Sequence, residues 1–152
     1  MPSLRKAKKN DVINIWNIRT QAILKVCTKS YAEDVILSWA NSPMPEDFGK
    51  ILLQFGAIVL EEQGDLVGFG FIDTERGSLK SLFISPQYIG RGYGKQIAEE
   101  LEYIAKTAGV QTIKVSSSLN AVEFYKSIGF KAGKIGSVFS ISAEPETRRL
   151  YR

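Results

Sequence analysis

The chain contains 152 residues, of which 44% are hydrophobic and 24% charged, as is usual for a globular protein that buries its core without metals or disulfides. Twenty Lys and Arg against 16 Asp and Glu give a net charge of +4, which favours anionic ligands, although the basic residues are too scattered for a nucleic-acid-binding face. One cysteine and no histidine exclude an intrachain disulfide, the commonest metal ligand and the commonest general base.

These properties lead to expectations about organisation and location. No linker, low-complexity tract or internal repeat divides the sequence, so we expect a single domain over residues 1–152. The N-terminal region lacks the apolar run of a signal peptide, and no run approaches the roughly 20 residues that cross a bilayer. We therefore expect a cytoplasmic protein with no metal, no nucleic-acid partner and no membrane partner.

Hydrophobic periodicity in the first half of the chain predicts helices followed by an antiparallel meander of three strands. Ser30 and Glu33 have the spacing of a capping box, which predicts the start of a second helix. The expected elements are, in chain order, a strand at 4–7, a helix capped by Asn10 or Asp11 and ending near Val26, a short helix carrying Val35, Ile36 and Trp39, a loop or helix to Leu53, and strands at 57–60, 66–72 and 79–84.

The second half changes from a period of 2 to a period of 3.6 residues, which indicates a helix covering the sheet. The expected elements are a helix at 92–108 ended by Gly109, a strand at 110–115, a helix capped by Asn120 and running to Ile128, and closing strands at 130–135 and 138–141 separated by Gly136. No structure is assigned from Ser142 onward. Strands interrupted by helices predict an α/β protein with a mixed sheet.

A glycine-rich stretch joins the predicted strand at 79–84 to the following helix. Gly90, Gly92 and Gly94 have no Cβ atoms, so the backbone there can approach a ligand closely. The amides at a helix start attract anions, and Arg91 and Lys95 add positive charge. This pattern suits a phosphate or pyrophosphate, although tight packing of a strand on a helix explains such glycines equally well. The spacing fits neither the Rossmann fingerprint nor the Walker loop.

Two motifs in this order resemble the GNAT superfamily of N-acetyltransferases. Gly92 and Gly94 match its acetyl-CoA-binding core, Gln/Arg-x-x-Gly-x-Gly/Ala, and residues 118–130 match its later motif, in which Asn-Ala and Phe-Tyr precede Gly-Phe. The order of the predicted elements extends the resemblance over nearly the whole chain. The resemblance implies a mixed, mostly antiparallel sheet flanked by helices, with acetyl-CoA (CoA) bound where two neighbouring strands splay apart.

The resemblance also implies a reaction and its residues. An amine acceptor, either a small molecule or a protein or peptide, would attack the thioester directly through a tetrahedral intermediate. Tyr125 matches the tyrosine that protonates the departing thiolate, although a core aromatic is the alternative interpretation of a helical tyrosine. The residues expected to bind the cofactor are Phe83 and Ile84, whose backbone N–H would polarise the thioester carbonyl, then Gly90, Arg91, Gly92, Tyr93, Gly94 and Lys95, and Asn120, which would orient the pantetheine arm.

Several questions stay open in the sequence. Ile89 occupies the leading Gln/Arg position of the motif and cannot donate a side-chain hydrogen bond. Cys27 has no histidine to activate it and is interpreted as inert. The base that accepts the amine proton is not identified; the candidates are Glu61, Glu62, Asp73 and Glu75, each with a solvated charge as the alternative. Tyr31 and Trp39 are candidates for an acceptor pocket, with core packing as the alternative.

Two alternatives to this function remain at the level of the whole chain. A non-catalytic CoA-binding module would use the same phosphate site to control a partner, although retention of Tyr125 argues against it. A small nucleic-acid-binding domain is disfavoured by the scattered basic residues. As in some relatives, the closing strands could pair across a homodimer.

Overall fold

The computed structural model describes residues 2–138 and 147–151, and these form a mixed α/β fold. The strands are β1 (Ser3–Lys6), β2 (Ile58–Glu62), β3 (Asp65–Asp73), β4 (Ser78–Ile84), β5 (Lys114–Ser118), β6 (Lys131–Val138) and β7 (Thr147–Tyr151). The helices are α1 (Val12–Val26), α2 (Glu33–Ala40), α3 (Phe48–Gln54), α4 (Tyr93–Thr107) and α5 (Val122–Ser127). In this part of the chain, no helix is both long and apolar enough to cross a membrane.

The strands that the structure describes form one sheet in the order β1-β2-β3-β4-β5-β7-β6. All neighbouring strands are antiparallel except β4 and β5, which are parallel. The predicted fold class, a mixed and mostly antiparallel sheet flanked by helices, is therefore confirmed. The predicted antiparallel meander of three strands is β2, β3 and β4, and β1 pairs with its outer edge across an intervening run of helices.

Alternating side chains of β2 divide the core between the two faces of the sheet. Ile58 and Leu60 pack with the inward residues of α4, whereas Val59 packs with α1 and α3. Burial on both faces explains why this strand is apolar without the polar alternation of a one-sided sheet. The sheet thus separates an α4 layer from an α1 and α3 layer.

Two glycines in β3 set the distance between α4 and the sheet. A Cβ atom at Gly68 would lie 2.9 Å from the Ile97 side chain, and one at Gly70 would lie 3.0 Å from the Leu101 side chain. A larger residue at either position would force these side chains to shift, because real Cβ atoms hardly approach this closely. The bare backbone of β3 therefore allows α4 to pack closely against the sheet.

Two predicted helix caps are wrong. The backbone N–H of Ser30 bonds to the carbonyl of Cys27 and closes a 3₁₀ turn, so α2 begins later, after Ala32 and without a side-chain cap. Asn120 lies inside a second 3₁₀ turn, Leu119–Ala121, and α5 begins after Ala121. In each case the predicted cap residue belongs to a 3₁₀ turn and therefore does not cap the helix that follows.

The strand expected at 110–115 begins only at Lys114. The N–H of Val110 bonds to the carbonyl of Ala105, so the residues after α4 first close the end of that helix. The predicted break at Gly136 is also absent, because β6 continues to Val138. Of the strand expected at 138–141, residues 139–141 lie outside the described residues. Strand β7, which the sequence did not predict, lies between β5 and β6.

Candidate functional site

Strands β4 and β5 diverge after a short parallel contact, and the gap between them is the candidate site. They pair only at Ser78 with Lys114 and at Leu79 with Val115. Beyond that point, β4 continues to pair with β3, and β5 continues to pair with β7. The sheet therefore opens between its two halves, and a cavity of about 530 Å³ occupies the opening.

The cavity brings together most of the residues that the sequence singled out. Its walls are largely apolar, and Lys95 is the one charged residue among the described lining residues. The predicted site residues that line it are Phe83, Ile84, Gly90, Gly92, Tyr93, Gly94, Lys95, Asn120 and Tyr125. Arg91 is absent from the lining, and its guanidinium lies over the ring of Tyr88, with 5.1 Å between the guanidinium carbon and the ring centroid.

One end of the cavity is formed by the N-terminus of α4. Gly90 and Gly92 have φ angles of 84° and 82°, in the left-handed region that glycine adopts without strain. A Cβ atom at either position would meet no atom within 4 Å, so this stretch of backbone is open. The first intrahelical bond runs from the N–H of Gln96 to the carbonyl of Gly92, which leaves the preceding amides free to bind an anion.

Gly94 serves a different purpose from the two glycines before it. A Cβ atom there would lie 3.1 Å from two ring carbons of Phe124. The absence of a side chain at Gly94 therefore lets α4 pack closely against α5. Of the three alternate glycines, Gly90 and Gly92 form the open backbone, and Gly94 allows α4 and α5 to pack closely.

Aromatic and charged side chains surround the start of α4. The hydroxyl of Tyr93 donates a hydrogen bond to Oε1 of Glu62 at 2.9 Å. This bond is the main reason why the pKa of the Tyr93 phenol is raised. The carboxylate of Glu62 is thus already engaged with Tyr93. Ile89, at the motif's Gln/Arg position, is 50% exposed and lines the cavity.

Tyr125 lies at the α5 wall of the cavity and is only 5% exposed. Its ring packs edge-on against Phe124 and Phe130, with centroid distances of 5.2 and 5.4 Å. Within the described residues, its hydroxyl has no hydrogen-bond partner. Burial raises the pKa of Tyr125, because the phenolate would lose its hydration. The phenol therefore stays protonated throughout the neutral pH range.

Comparison with known families identifies this arrangement. The family described as an acetyltransferase (GNAT) domain matches residues 29–140. The chain belongs to the GNAT superfamily. The splayed strands, the glycine-rich helix start and the later Asn-Ala and Phe-Tyr motif all fall within the matched range.

Similar proteins agree with this assignment. A [ribosomal protein bS18]-alanine N-acetyltransferase from Haemophilus influenzae is 29% identical over 99 residues, which are 62% of this chain and 66% of the relative, just under two thirds of its length. The crystal structure of a GCN5-related N-acetyltransferase from Rhodopseudomonas palustris has a TM-score of 0.91 at 26% identity and covers 100% of this chain and 95% of that one. PaiA N-acetyltransferase from Thermoplasma acidophilum, in complex with coenzyme A, shares the fold with a TM-score of 0.74 at 20% identity, covering 100% and 98% of the two chains.

The α1 end of the GNAT cavity contains Cys27, which sequence analysis interpreted as inert. Its thiol donates a hydrogen bond to Oδ1 of Asn120 at 3.3 Å. Burial raises the pKa of Cys27 to about 11, so the group remains a thiol at neutral pH. The sequence did not indicate this contact, because 93 residues separate the two partners.

Tyr31 and Trp39 pack against each other, with ring centroids 5.7 Å apart and an edge-on geometry. The Tyr31 hydroxyl also accepts the backbone N–H of Leu119 at 2.9 Å. Neither aromatic residue lines the cavity. The sequence suggested Tyr31 as an acceptor-pocket residue or a packing residue and gave no signal for its bond to the turn before α5.

The carboxylates considered as bases have other partners or positions. Oδ1 of Asp73 accepts the backbone N–H groups of Glu75 and Arg76, which closes the turn between β3 and β4. Glu61 forms an ion pair with Arg5 at 2.7 Å on the far edge of the sheet. Among the described residues, no carboxylate lines the cavity.

Proposed function

We propose that this GNAT domain is an acetyl-CoA-dependent N-acetyltransferase that transfers an acetyl group to an amine acceptor by direct attack through a tetrahedral intermediate. One observation carries the proposal: a single cavity between the diverging β4 and β5 has the open, glycine-rich start of α4 at one end and a buried, protonated tyrosine in its wall. The two ends are suited to the two chemical parts of the cofactor.

The cofactor's phosphates fit the start of α4. Gly90 and Gly92 leave room for pyrophosphate oxygens against the backbone amides, and the helix dipole favours their negative charge. Lys95 lies in the same wall, and its Nζ is 3.9 Å from the Glu99 carboxylate, a distance that leaves it able to turn toward a phosphate. The apolar walls suit the pantetheine arm. The coenzyme A complex of PaiA, which shares this fold, supports the assignment.

Strand geometry favours Ile84 over Phe83 as the donor to the thioester oxygen. Successive N–H groups of a strand point to opposite neighbours. The N–H of Ser85 bonds to Val67 of β3, so the N–H of Phe83 also faces β3 and the N–H of Ile84 faces the opening toward β5. A backbone donor aimed at the developing oxyanion stabilises the transition state without reorganising.

Tyr125 is proposed as the acid that donates a proton to the departing thiolate. Its hydroxyl is protonated at neutral pH and, in the described residues, uncommitted to another side chain. An amine near pKa 10 must lose its proton before attack. With no carboxylate in the described lining, we propose that this proton leaves to solvent water, so the rate should rise with pH as the free amine increases.

The acceptor is proposed to be a primary amine of a small molecule or of a protein or peptide. The Haemophilus influenzae relative is named for the alanine of a ribosomal protein, which makes a peptide beginning with alanine a useful first probe. We also propose that residues 1–152 act as one domain, and that two copies of the chain can form a homodimer by pairing their closing strands.

Thermal unfolding tests the cofactor assignment directly. Acetyl-CoA and CoA should raise the melting temperature at saturating concentration, since a ligand that binds only the native state stabilises it by mass action. NAD and ATP should raise it far less. Equal shifts with all four ligands, or none with CoA, would remove the proposal. Binding of acetyl-CoA without thiol release with any amine would instead identify a non-catalytic CoA-binding module.

A further inference from the structure

The connection between α1 and α2 is tied to the turn that precedes α5 by two hydrogen bonds. The thiol of Cys27 donates to Oδ1 of Asn120 at 3.3 Å, and the hydroxyl of Tyr31 accepts the N–H of Leu119 at 2.9 Å. The two bonds join residues four apart on one segment to adjacent residues on the other. Such a paired contact fixes both the position and the rotation of the turn.

This turn carries the residues to which the proposed reaction assigns roles. Leu119–Ala121 forms the 3₁₀ turn, Asn120 lies within it, and α5 follows at once with Tyr125 near its end. Helix α5 has only six residues, and so short a helix depends on tertiary contacts rather than on its own stability. A shift of the turn would therefore move both Asn120 and Tyr125 in the cavity wall.

The Tyr31 side chain is itself held from α1. Its ring lies edge-on to Trp39 at the end of α2. The guanidinium of Arg19 donates to the Trp39 carbonyl at 2.8 Å and lies over the ring of Trp16, 4.2 Å from its centroid. The Tyr31 side chain that accepts the Leu119 N–H is thus packed against α2, and α2 is in turn hydrogen-bonded to α1.

We propose that Tyr31 is a positioning residue that fixes the turn before α5, and with it Asn120 and Tyr125, and that Cys27 assists by orienting the Asn120 carboxamide. When Oδ1 of Asn120 accepts a hydrogen bond from the thiol, the NH₂ group of Asn120 remains available as a donor to the cavity. That donor would face an amide carbonyl of the pantetheine arm. The inference rests on the proposed function.

Tyr31→Phe is the decisive variant because it keeps the ring and removes the hydroxyl whose oxygen accepts the Leu119 N–H. A partly buried amide left unpaired costs enough to change a conformational equilibrium by roughly tenfold. We expect kcat for thiol release to fall about tenfold on that account, and the Leu119 amide to exchange with solvent faster in hydrogen-exchange experiments. Tyr103→Phe, at a 65% exposed site on α4, is the matched control and should change neither quantity.

Cys27 supplies a second test that does not depend on Tyr31. Cys27→Ala should weaken acetyl-CoA affinity about two- to threefold, because a thiol is a weak donor, and Cys27→Ser should restore it. In an Asn120→Ala background, Cys27→Ala should have no further effect. Full additivity there would show that Cys27 only packs.

The outcomes separate this inference from the proposed function. If Tyr31→Phe lowers the melting temperature but leaves kcat, acetyl-CoA affinity and Leu119 exchange unchanged, Tyr31 is structural and the inference is overturned. If Tyr31→Phe does not fold, the Cys27 and Asn120 variants decide. If the parent chain neither binds CoA nor releases thiol, the proposed function fails first and the positioning role fails with it.

Discussion

At the scale of single residues, burial has two opposite effects on Tyr125 as the proposed proton donor. Packing among aromatic rings fixes its orientation, and burial raises its pKa, which keeps the phenol protonated at neutral pH but also makes it a weaker acid. A thiolate leaving group would accept its proton. Phe124 shares the wall but offers no proton.

Tyr125→Phe removes the hydroxyl and preserves the ring. General acid catalysis contributes roughly 10²- to 10⁴-fold, so we expect kcat for thiol release to fall by about 10²-fold, because a thiolate already leaves fairly well. Affinity for CoA, measured by calorimetry, should stay the same. An unchanged kcat would make Tyr125 a packing residue, and a lost affinity would make it a cofactor contact.

The pH dependence of the rate tests the same residue. Because burial raises the pKa of Tyr125, the donor is present below and around the ordinary phenol value of about 10 and is lost only at higher pH. The parent kcat should therefore fall at alkaline pH only above about 10. In Tyr125→Phe this alkaline fall should be absent. A parent profile that falls near neutrality would assign the proton donor to another group.

At the scale of elements, α4 is bounded by two glycines in the same backbone conformation and with different surroundings. Gly92 at its start and Gly109 after its end have φ angles of 82° and 87°, and a Cβ atom at either would meet no atom within 4 Å. Only Gly92 lines the cavity. The pair therefore allows backbone strain to be separated from ligand binding.

Gly92→Ala should weaken CoA binding at least tenfold, because its Cβ would occupy the space where a pyrophosphate approaches the backbone. Gly109→Ala should leave CoA affinity unchanged. Each variant should lose about 1–2 kcal/mol of stability, since alanine is strained at positive φ. Calorimetry and denaturant unfolding measure the two effects. Equal losses of CoA affinity in both variants would place the phosphate site elsewhere.

Two lysines at opposite ends of α4 test the electrostatic part of the site. The Lys95 and Lys106 side chains are similarly exposed, at 65% and 70%. Lys95→Gln should weaken CoA binding several-fold at low ionic strength, with the difference shrinking in salt as screening increases. Lys106→Gln should leave CoA affinity unchanged. A loss of CoA affinity in both variants that does not depend on salt would indicate an effect on helix stability instead of on phosphate binding.

The elements near the motifs could be predicted from the sequence, because their signals are local. The period change before α4, the glycines at its two ends and the apolar run of β3 each lie within a few residues. The predicted start of β5 was wrong because the N–H of Val110 bonds to the carbonyl of Ala105 and closes the end of α4. No sequence pattern reveals this hydrogen bond. Likewise, Asn120 fits the cap pattern, but its side chain meets Cys27, far away in the chain.

At the scale of the whole molecule, the cavity lies where β4 and β5 stop pairing with each other while each keeps its other neighbour. Strand β4 stays with β3, while β5 pairs along its length with β7, which follows it by about 30 residues. That pairing is long-range, and the sequence assigned no structure to the segment containing β7. The family resemblance predicted a splay, but the structure was needed to show that β7 pairs with the edge of β5 opposite β4.

The most direct test of acetyl transfer is thiol release from acetyl-CoA by this chain, measured against a panel of primary amines and a peptide beginning with alanine. We expect acceptor-dependent release, with one acetylated amine detected by mass for each thiol, and a roughly 10²-fold lower rate in Tyr125→Phe. Release of thiol without acetylated amine would contradict it. So would saturable CoA binding in the cavity with no acetyl transfer to any amine.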